Sequence, residues 1–395
     1  MRKNALGKLR FRLVGLLWLG VVSYGCAATS ASVSPTNSDL PAPSQPQKLL
    51  ILGQDLGAIR GYMASDCCPR PDGLTAYVDF YDILKEGDFG GLGIDSNGND
   101  AGFESDWGAG PVNAYRTATE FGVHGLAIGL SITENEHPGK LRRLIDGEFD
   151  EHIRQLAKFS RLVKGPVYLR IGYEFDGAWN QGYQNADNYK AAFKRIVDVL
   201  RQEKTGNVET VWQSGASTAD DILDGGHEDI TQWYPGDDYV DWMGFSWFMN
   251  PHETVQVTSS YSPKTPLELT EELLAFARQR MKPVMIAEAS PQAMDLSDGF
   301  MADHSPIWDG EPAENRVDMS DDEIWDHWFA PTFELLKNNR DVIRAFAYIN
   351  ADWDSQAMWG PPYNSGFWGD TRLEVNNDIA ARFSAAIDNW KAPRQ

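Results

Sequence analysis

The chain has 395 residues, of which 42% are hydrophobic and 12% aromatic, and this composition predicts a globular protein with a full core. Its formal net charge is −22, and positive residues are clustered only within the first twelve positions. Because phosphate binding needs clustered Lys and Arg, the charge pattern argues against nucleic acid as a partner.

The amino terminus has the pattern of an export signal. Five Lys and Arg residues precede the apolar run 13–22, which is too short to span a bilayer. The run ends in VSYGC, which resembles a bacterial lipoprotein box with Cys26 as the acylated residue. We therefore expect residues 1–26 to be a signal peptide. The exported protein is then either anchored to a membrane through lipid on Cys26 or released after plain cleavage into the periplasm or medium.

Residues 27–47 are rich in Ser, Pro and Ala without periodicity, and we interpret them as a disordered linker. After the linker, short apolar runs alternate with helical patterns. Eight strands are predicted, at 49–54, 76–83, 124–133, 166–174, 208–215, 239–248, 282–290 and 343–353. Amphipathic helices are predicted between them at 111–122, 149–163, 185–204, 266–281 and 320–339.

Strands that alternate with helices favour a parallel sheet, and eight such units close into a barrel. We therefore predict an α/β fold, a single-domain (β/α)8 TIM barrel over residues 48–392. An open doubly wound sheet is the alternative fold, but no Gly-rich phosphate loop follows the first strand. Residues 85–110 form a long irregular stretch, which we expect to be a loop on the face where the strands end.

Neither a metal nor a cofactor is predicted. The histidines are scattered, and DSNGND at 95–100 has Asp100 where a calcium loop needs Gly. Cys67 and Cys68 are adjacent, and in an oxidising compartment they either form a strained disulfide or remain two free thiols. The sequence leaves both states of these cysteines open.

Two glutamates lie at the ends of predicted strands, Glu174 on the fourth and Glu288 on the seventh. Reactive groups of barrel enzymes lie at the carboxyl ends of strands. Alternation places Arg170 on the same face as Glu174, and it places Val284 and Ile286 on the same face as Glu288. If those faces point inward, both carboxyl groups reach one mouth. One protonated and one ionised carboxyl flanking a bond is what glycoside hydrolysis requires, whereas two structural ion pairs are the alternative.

Three motifs resemble a known family. GQD after the first strand, RIGYEFDGAW on the fourth and KPVMIAEAS on the seventh are similar to glycoside hydrolase family 26, whose members are retaining (β/α)8 hydrolases and include endo-β-mannanases. The resemblance implies that Glu174 is the general acid/base and Glu288 the nucleophile of a retaining, endo-acting hydrolase. It also implies β-mannan or a related β-glycan as substrate.

The chain departs from the family pattern at two places. Tyr173 stands where the family usually has His, and GFSWF at 244–248 lacks the usual Asp-Tyr pair. These departures leave both glutamates intact but change the surroundings of a bound sugar.

Aromatic and polar residues near strand ends are expected to contact the sugar, with indole rings stacking on its C–H faces. The expected substrate-binding residues are Gln54, Asp55, Arg170, Tyr173, Asp176, Trp179, Trp247 and Trp353. We expect a monomer with a polysaccharide or oligosaccharide as its partner. The alternative function is a non-catalytic carbohydrate-binding surface lipoprotein on a hydrolase-like barrel.

Overall fold

Eight parallel strands close into a barrel in the computed structural model, which describes residues 47–79, 90–135, 137–217, 229–252, 264–302, 316–360 and 367–393. Each strand pairs with its neighbours in sequence, and the last pairs with the first. The strands are β1 Leu49–Gly53, β2 Gly73–Asp79, β3 Gly125–Ser131, β4 Val167–Ile171, β5 Val208–Ser214, β6 Trp242–Trp247, β7 Val284–Ala289 and β8 Ile343–Ile349. The predicted TIM barrel is thereby confirmed.

The second strand begins at Gly73, earlier than predicted, because Gly73 pairs with Ile51 on β1 and with Gly125 on β3. Residues 80–83, the rest of that predicted strand, lie outside the described residues. The lipoprotein signal and nearly all of the linker also lie outside them.

Helices follow the strands. They are α1 Leu56–Ala64, α2 Ala114–Glu120, α3 Lys140–Ile145, α4 Asp150–Ser160, α5 Ala186–Gln202, α6 Pro266–Gln279, α7 Asp321–Ile324, α8 Ala330–Asn338 and α9 Asn377–Lys391. A π-helical turn, Trp325–Phe329, joins α7 to α8. Within the described ranges, none of these helices combines the length and the apolar character needed to cross a membrane.

Local capping explains where several helices start. The Asn185 side chain accepts the backbone N–H of Asn188 at 3.0 Å and begins α5, as the sequence predicts. Thr265 and Glu268 form a capping box at the start of α6, where Pro266 fills the first turn without losing a needed donor.

Short antiparallel strands lie outside the barrel. Ser105–Asp106 pairs with Pro111–Val112, at the end of the stretch predicted as a loop. Met294–Asp295, Phe300–Ala302 and Arg316–Asp318 form a second small sheet after β7.

The apolar core has two layers, one inside the barrel and one between the barrel and the helices. Inside the barrel, residues such as Tyr168, Trp242 and Met285 pack together. The outer layer takes the alternate strand residues, including Leu169 on β4 and Met243 on β6. Because alternate residues enter different layers, the layer of one residue tells which way its neighbours point.

Candidate active site

A cleft of about 680 Å³ opens where the barrel strands end. Glu174 and Glu288 both line it, so the structure brings the two predicted catalytic residues together. Five tryptophans also line the cleft, and they are Trp107, Trp179, Trp353, Trp359 and Trp368.

Glu288 reaches the cleft because β7 contains a bulge. Val284 and Ile286 pack in the outer layer, whereas Met285 and Ala287 lie inside the barrel. Simple alternation from these residues would turn Glu288 outward. However, the register with β6 shifts at this point, so that Ile286 pairs with Phe245 and Glu288 pairs with Ser246. A bulge of this kind re-aims a side chain, and here it directs Glu288 inward.

The prediction that Val284 and Ile286 share the face of Glu288 is therefore wrong. The same shift occurs on the other side of β7, where Phe346 on β8 pairs with Ile286 and Tyr348 pairs with Ala289. The irregularity thus belongs to β7 itself.

The Glu288 carboxylate is held by Arg170 and Gln213. Arg170 on β4 is fully buried, and its Nη1 donates a hydrogen bond to Glu288 Oε1. Gln213 Nε2 lies 3.4 Å from the same oxygen. The guanidinium also lies 5.0 Å from the ring centre of Tyr77 and 5.3 Å from that of Tyr173. Arg170 is predicted to bind substrate, but it is not among the residues that line the cleft; it fixes Glu288 from below.

Glu174 lies beyond the end of β4, in a turn of unusual backbone conformation. Gly172 has φ +56° and Glu174 has φ +53°, and a left-handed conformation is costly for a residue with a side chain. In this turn the Glu174 carboxyl accepts hydrogen bonds from two neighbours. Ser246 Oγ donates to Oε1 at 2.7 Å, and the Trp179 indole N–H donates to Oε2 at 3.1 Å.

The surroundings keep Glu174 protonated at neutral pH. Removal from bulk water, and then the negative charge of Glu288, raise the pKa of Glu174 to about 8. The cleft therefore presents an acid beside a carboxylate that is paired with Arg170. Such a pair can protonate a leaving oxygen on one side and attack carbon on the other.

The structure places four of the expected substrate-binding residues in the cleft, namely Gln54, Tyr173, Trp179 and Trp353. Asp55 lies elsewhere, as the N-cap of α1, where it accepts the N–H of Ala58 at 3.0 Å. Asp176 is buried, and it accepts the N–H of Gly215 at 2.6 Å and the hydroxyl of Ser214. Both carboxylates organise local backbone, which corrects their expected role as sugar ligands.

Trp247 is predicted to bind substrate, but the structure places it in the outer layer of the core. Trp242 points into the barrel, and alternation along β6 then turns Ser246 inward and Trp247 outward. The indole is 1% exposed and donates its N–H to Thr332 Oγ1 on α8 at 2.8 Å. Trp247 therefore packs the barrel against a helix, and it does not reach a substrate.

Several residues of the site were missed from the sequence. Ser246 and Gln213 contact the glutamates, and Trp107 and Trp368 extend the aromatic lining. The usable signal for Ser246 is a polar residue near the carboxyl end of an otherwise apolar strand, which points to the barrel mouth. The strand of Gln213, VETVWQS, has polar residues along its length and gives no such signal.

Asp95 of the calcium-like segment, Cys67 and Cys68 are not among the residues that line the cleft. Among the described residues, no group of three or more His, Cys, Asp or Glu side chains is arranged to hold a metal ion. Asp95 accepts the backbone N–H of Asn97 at 2.8 Å and that of Asn99 at 2.9 Å, within its own exposed loop. Cys67 and Cys68 are free thiols, with their sulfur atoms 2.7 Å apart.

Comparison with solved structures gives distant matches. GH26C from Muricauda sp. MAR_2010_75 matches with a TM-score of 0.49 and 17% identity, over 88% of this chain and 91% of that one. The β-mannanase BoMan26A from Bacteroides ovatus matches with a TM-score of 0.46 and 12% identity, over 86% and 89%.

Comparison of sequences gives closer relatives. The model of glycosyl hydrolase family 26 matches residues 130–317. A β-1,3-xylanase from Alcaligenes sp is 30% identical over 385 residues, which is 96% of this chain and 70% of the relative. The β-1,3-xylanase TXYA from Vibrio sp is 33% identical over 389 residues, which is 96% of this chain and 71% of the relative. The chain belongs to glycosyl hydrolase family 26.

Proposed function

We propose that the protein is a retaining, endo-acting β-1,3-xylanase. The single observation that carries the reaction type is the placement of Glu174 and Glu288 in one cleft, with the pKa of Glu174 raised to about 8. The substrate rests on the two relatives named β-1,3-xylanase, which are 30% and 33% identical over nearly the whole chain. The names of these two relatives favour β-1,3-xylan over the β-mannan that is expected from the family resemblance.

In the first step, protonated Glu174 gives its proton to the glycosidic oxygen as the bond between that oxygen and the anomeric carbon breaks. A carboxylate oxygen of Glu288 forms a bond to the same carbon, and a neutral sugar hydroxyl leaves. Arg170 supports this step, because its ion pair holds the Glu288 carboxylate in one orientation.

In the second step, Glu174 is a carboxylate and acts as a base. It takes a proton from water while the water oxygen attacks the anomeric carbon, and the ester bond to Glu288 breaks. Two displacements at the same carbon return the original anomeric configuration. This mechanism requires the two carboxyl groups to lie about 5–5.5 Å apart, the separation of retaining enzymes.

Endo action is favoured by the extent of the aromatic lining. Trp179 lies beside Glu174, whereas Trp107 comes from the loop after β2 and Trp359 and Trp368 come from the segments after β8. Aromatic rings spread over several loops can stack on several sugar units, as cleavage within a chain requires.

The test is a panel of β-1,3-xylan, β-1,4-xylan, β-1,4-mannan and cellulose, with product analysis by chromatography and by NMR of the anomeric proton. We expect oligosaccharides of several lengths from β-1,3-xylan alone, with the β-anomer formed first. Release of the α-anomer first would contradict the retaining mechanism.

The panel also separates catalysis from mere binding. Glu288→Ala should bind β-1,3-xylan in affinity electrophoresis but release no product. If the unaltered protein binds the polysaccharide but releases no product, it is the non-catalytic carbohydrate-binding protein of the alternative function.

A further inference from the structure

Three buried polar side chains connect the two glutamates at the floor of the cleft, and they are Arg170 on β4, Gln213 on β5 and Ser246 on β6. Arg170 Nη1 lies 3.2 Å from Gln213 Oε1, and Gln213 Nε2 lies 3.1 Å from Ser246 Oγ. Three adjacent strands each supply one residue, so the barrel register itself sets these distances.

Arg170 sets the direction of each hydrogen bond in this series of side chains. A guanidinium can only donate, so the amide oxygen of Gln213 faces Arg170 and the amide nitrogen faces Ser246. The amide nitrogen can only donate too, so Ser246 Oγ accepts from it. The hydroxyl has one proton, and its other contact among the described residues is Glu174 Oε1 at 2.7 Å. Ser246 therefore donates to Glu174 Oε1.

We propose that this series of hydrogen bonds determines which oxygen of Glu174 donates the proton and which oxygen of Glu288 attacks the anomeric carbon. Both oxygens of Glu174 accept a hydrogen bond, Oε1 from Ser246 at 2.7 Å and Oε2 from the Trp179 indole at 3.1 Å. The first distance is typical of O–H···O hydrogen bonds, whereas the second is long for N–H···O, so Oε1 is the more strongly engaged acceptor and the catalytic proton is held on Oε2. Glu288 Oε1 is an acceptor for Arg170 and Gln213, so Oε2 is the oxygen that attacks the anomeric carbon. The inference rests on the proposed function and adds Ser246 and Gln213 as positioning residues.

The hydrogen bond from Ser246 also affects the proton affinity of Glu174. It stabilises the carboxylate and so lowers the pKa of Glu174, against the effects of burial and of Glu288. The titratable or charged groups around Glu174 are Tyr77, Arg170, Tyr173, Asp176, Tyr183 and Glu288. All of them remain in a Ser246 variant, which isolates the effect of the hydroxyl.

The test is the pH profile of Ser246→Ala with xylo-oligosaccharides and with an activated aryl xyloside. The alkaline limb of kcat/KM should move up by about one pH unit, because a hydrogen bond to a charged group is lost. With the oligosaccharide, kcat should fall about 10-fold while KM stays within about twofold, because proton delivery is misdirected. With the aryl xyloside, the fall in kcat should be smaller. Ser246→Thr should return the alkaline limb to its pH in the unaltered protein.

The matched control is Ser160→Ala on α4, another buried serine, which donates to the carbonyl of Ala157 and lies outside the cleft. Its pH profile should equal that of the unaltered protein. An unchanged limb in a folded Ser246→Ala protein would overturn the proposal. If Glu288→Ala kept its turnover, the proposed function itself would fail, independently of Ser246.

A neutron structure at pH 6 provides a readout that does not depend on the variants. It should show deuterium on Glu174 Oε2 and the Ser246 deuterium directed at Oε1. Deuterium on Glu174 Oε1 would overturn the assignment.

Discussion

Glu174 and Glu288 have the same side chain, and their neighbours separate their roles. The Glu174 carboxyl contacts a hydroxyl and an indole N–H, whereas the Glu288 carboxylate contacts a guanidinium. The charge of Glu288 is itself one reason why Glu174 retains its proton. A difference in environment therefore turns two identical residues into an acid and a nucleophile.

This difference predicts the alkaline limit of activity. The first step needs protonated Glu174, and its pKa is about 8, so kcat/KM should fall as the pH rises through about 8. Initial rates on β-1,3-xylan between pH 5 and 10 measure the limb. An alkaline limb near pH 5 would show that Glu174 is not the acid.

Variants of the two glutamates should respond differently to the leaving group. Glu174→Gln should lower turnover of xylo-oligosaccharides by about 100-fold or more and largely spare activated aryl xylosides, which leave without a proton. Glu288→Ala should abolish both reactions, because no glycosyl-enzyme can form. Equal losses on both substrates in Glu174→Gln would speak against the acid/base role.

The raised pKa of Glu174 also predicts a stability effect. Its carboxyl has a higher pKa in the folded protein than in the unfolded chain, so it destabilises the fold as the pH rises from about 4.5 to about 8. Glu174→Gln should therefore raise the melting temperature at pH 8 and leave it unchanged near pH 4. The control is Glu271→Gln, an exposed residue on α6, which should change neither value. A lower melting temperature of Glu174→Gln at pH 8 would contradict the argument.

At the scale of elements, β6 and β7 show how strand geometry distributes side chains. Regular alternation along β6 gives Ser246 to the site and Trp247 to the outer core, whereas the bulge in β7 gives Glu288 to the site. Neighbouring residues on one strand thus differ completely in function.

Trp247→Phe tests the structural assignment of that side chain. The variant loses the hydrogen bond to Thr332 and part of the buried indole, so it should be less stable by about 1–3 kcal/mol. KM for β-1,3-xylan should be unchanged. Urea unfolding and steady-state kinetics measure the two quantities, and Trp353→Phe, in the cleft, is the contrasting variant, with a raised KM. A raised KM in Trp247→Phe without loss of stability would restore Trp247 to the substrate site.

At the scale of the whole molecule, the barrel gathers segments that are distant in sequence around one cleft. The loop after β2 and the segment after β8 meet where the N–H of Met358 donates to the carbonyl of Gly108 at 2.8 Å. Trp107 and Trp359, on these two segments, consequently line the same cleft.

The prediction at this scale concerns the amino terminus. If Cys26 is acylated, Cys26→Ser should move the protein from the membrane fraction to the soluble exported fraction without changing its specific activity. Fractionation followed by immunoblotting measures this, and identical distribution of both forms would contradict the lipoprotein interpretation.

Much of the fold could be predicted because it depends on local pattern. The eight apolar runs predict the eight strands, and Asn185 marks the start of α5. Helices α1, α3 and α9 were missed, and the start of β2 was misplaced because strand pairing decides it.

The candidate site was predictable only in part. Glu174 and Glu288 could be chosen from the sequence because an ionisable group at the end of a buried strand is costly unless it is paired, neutralised or used in catalysis. Alternation, however, gives the relative sides of residues on one strand, and only barrel closure decides which side is inside. Trp247 was misassigned for this reason, the bulge at Glu288 has no signal in the pattern, and the contacts of Ser246 and Gln213 arise from the register between strands.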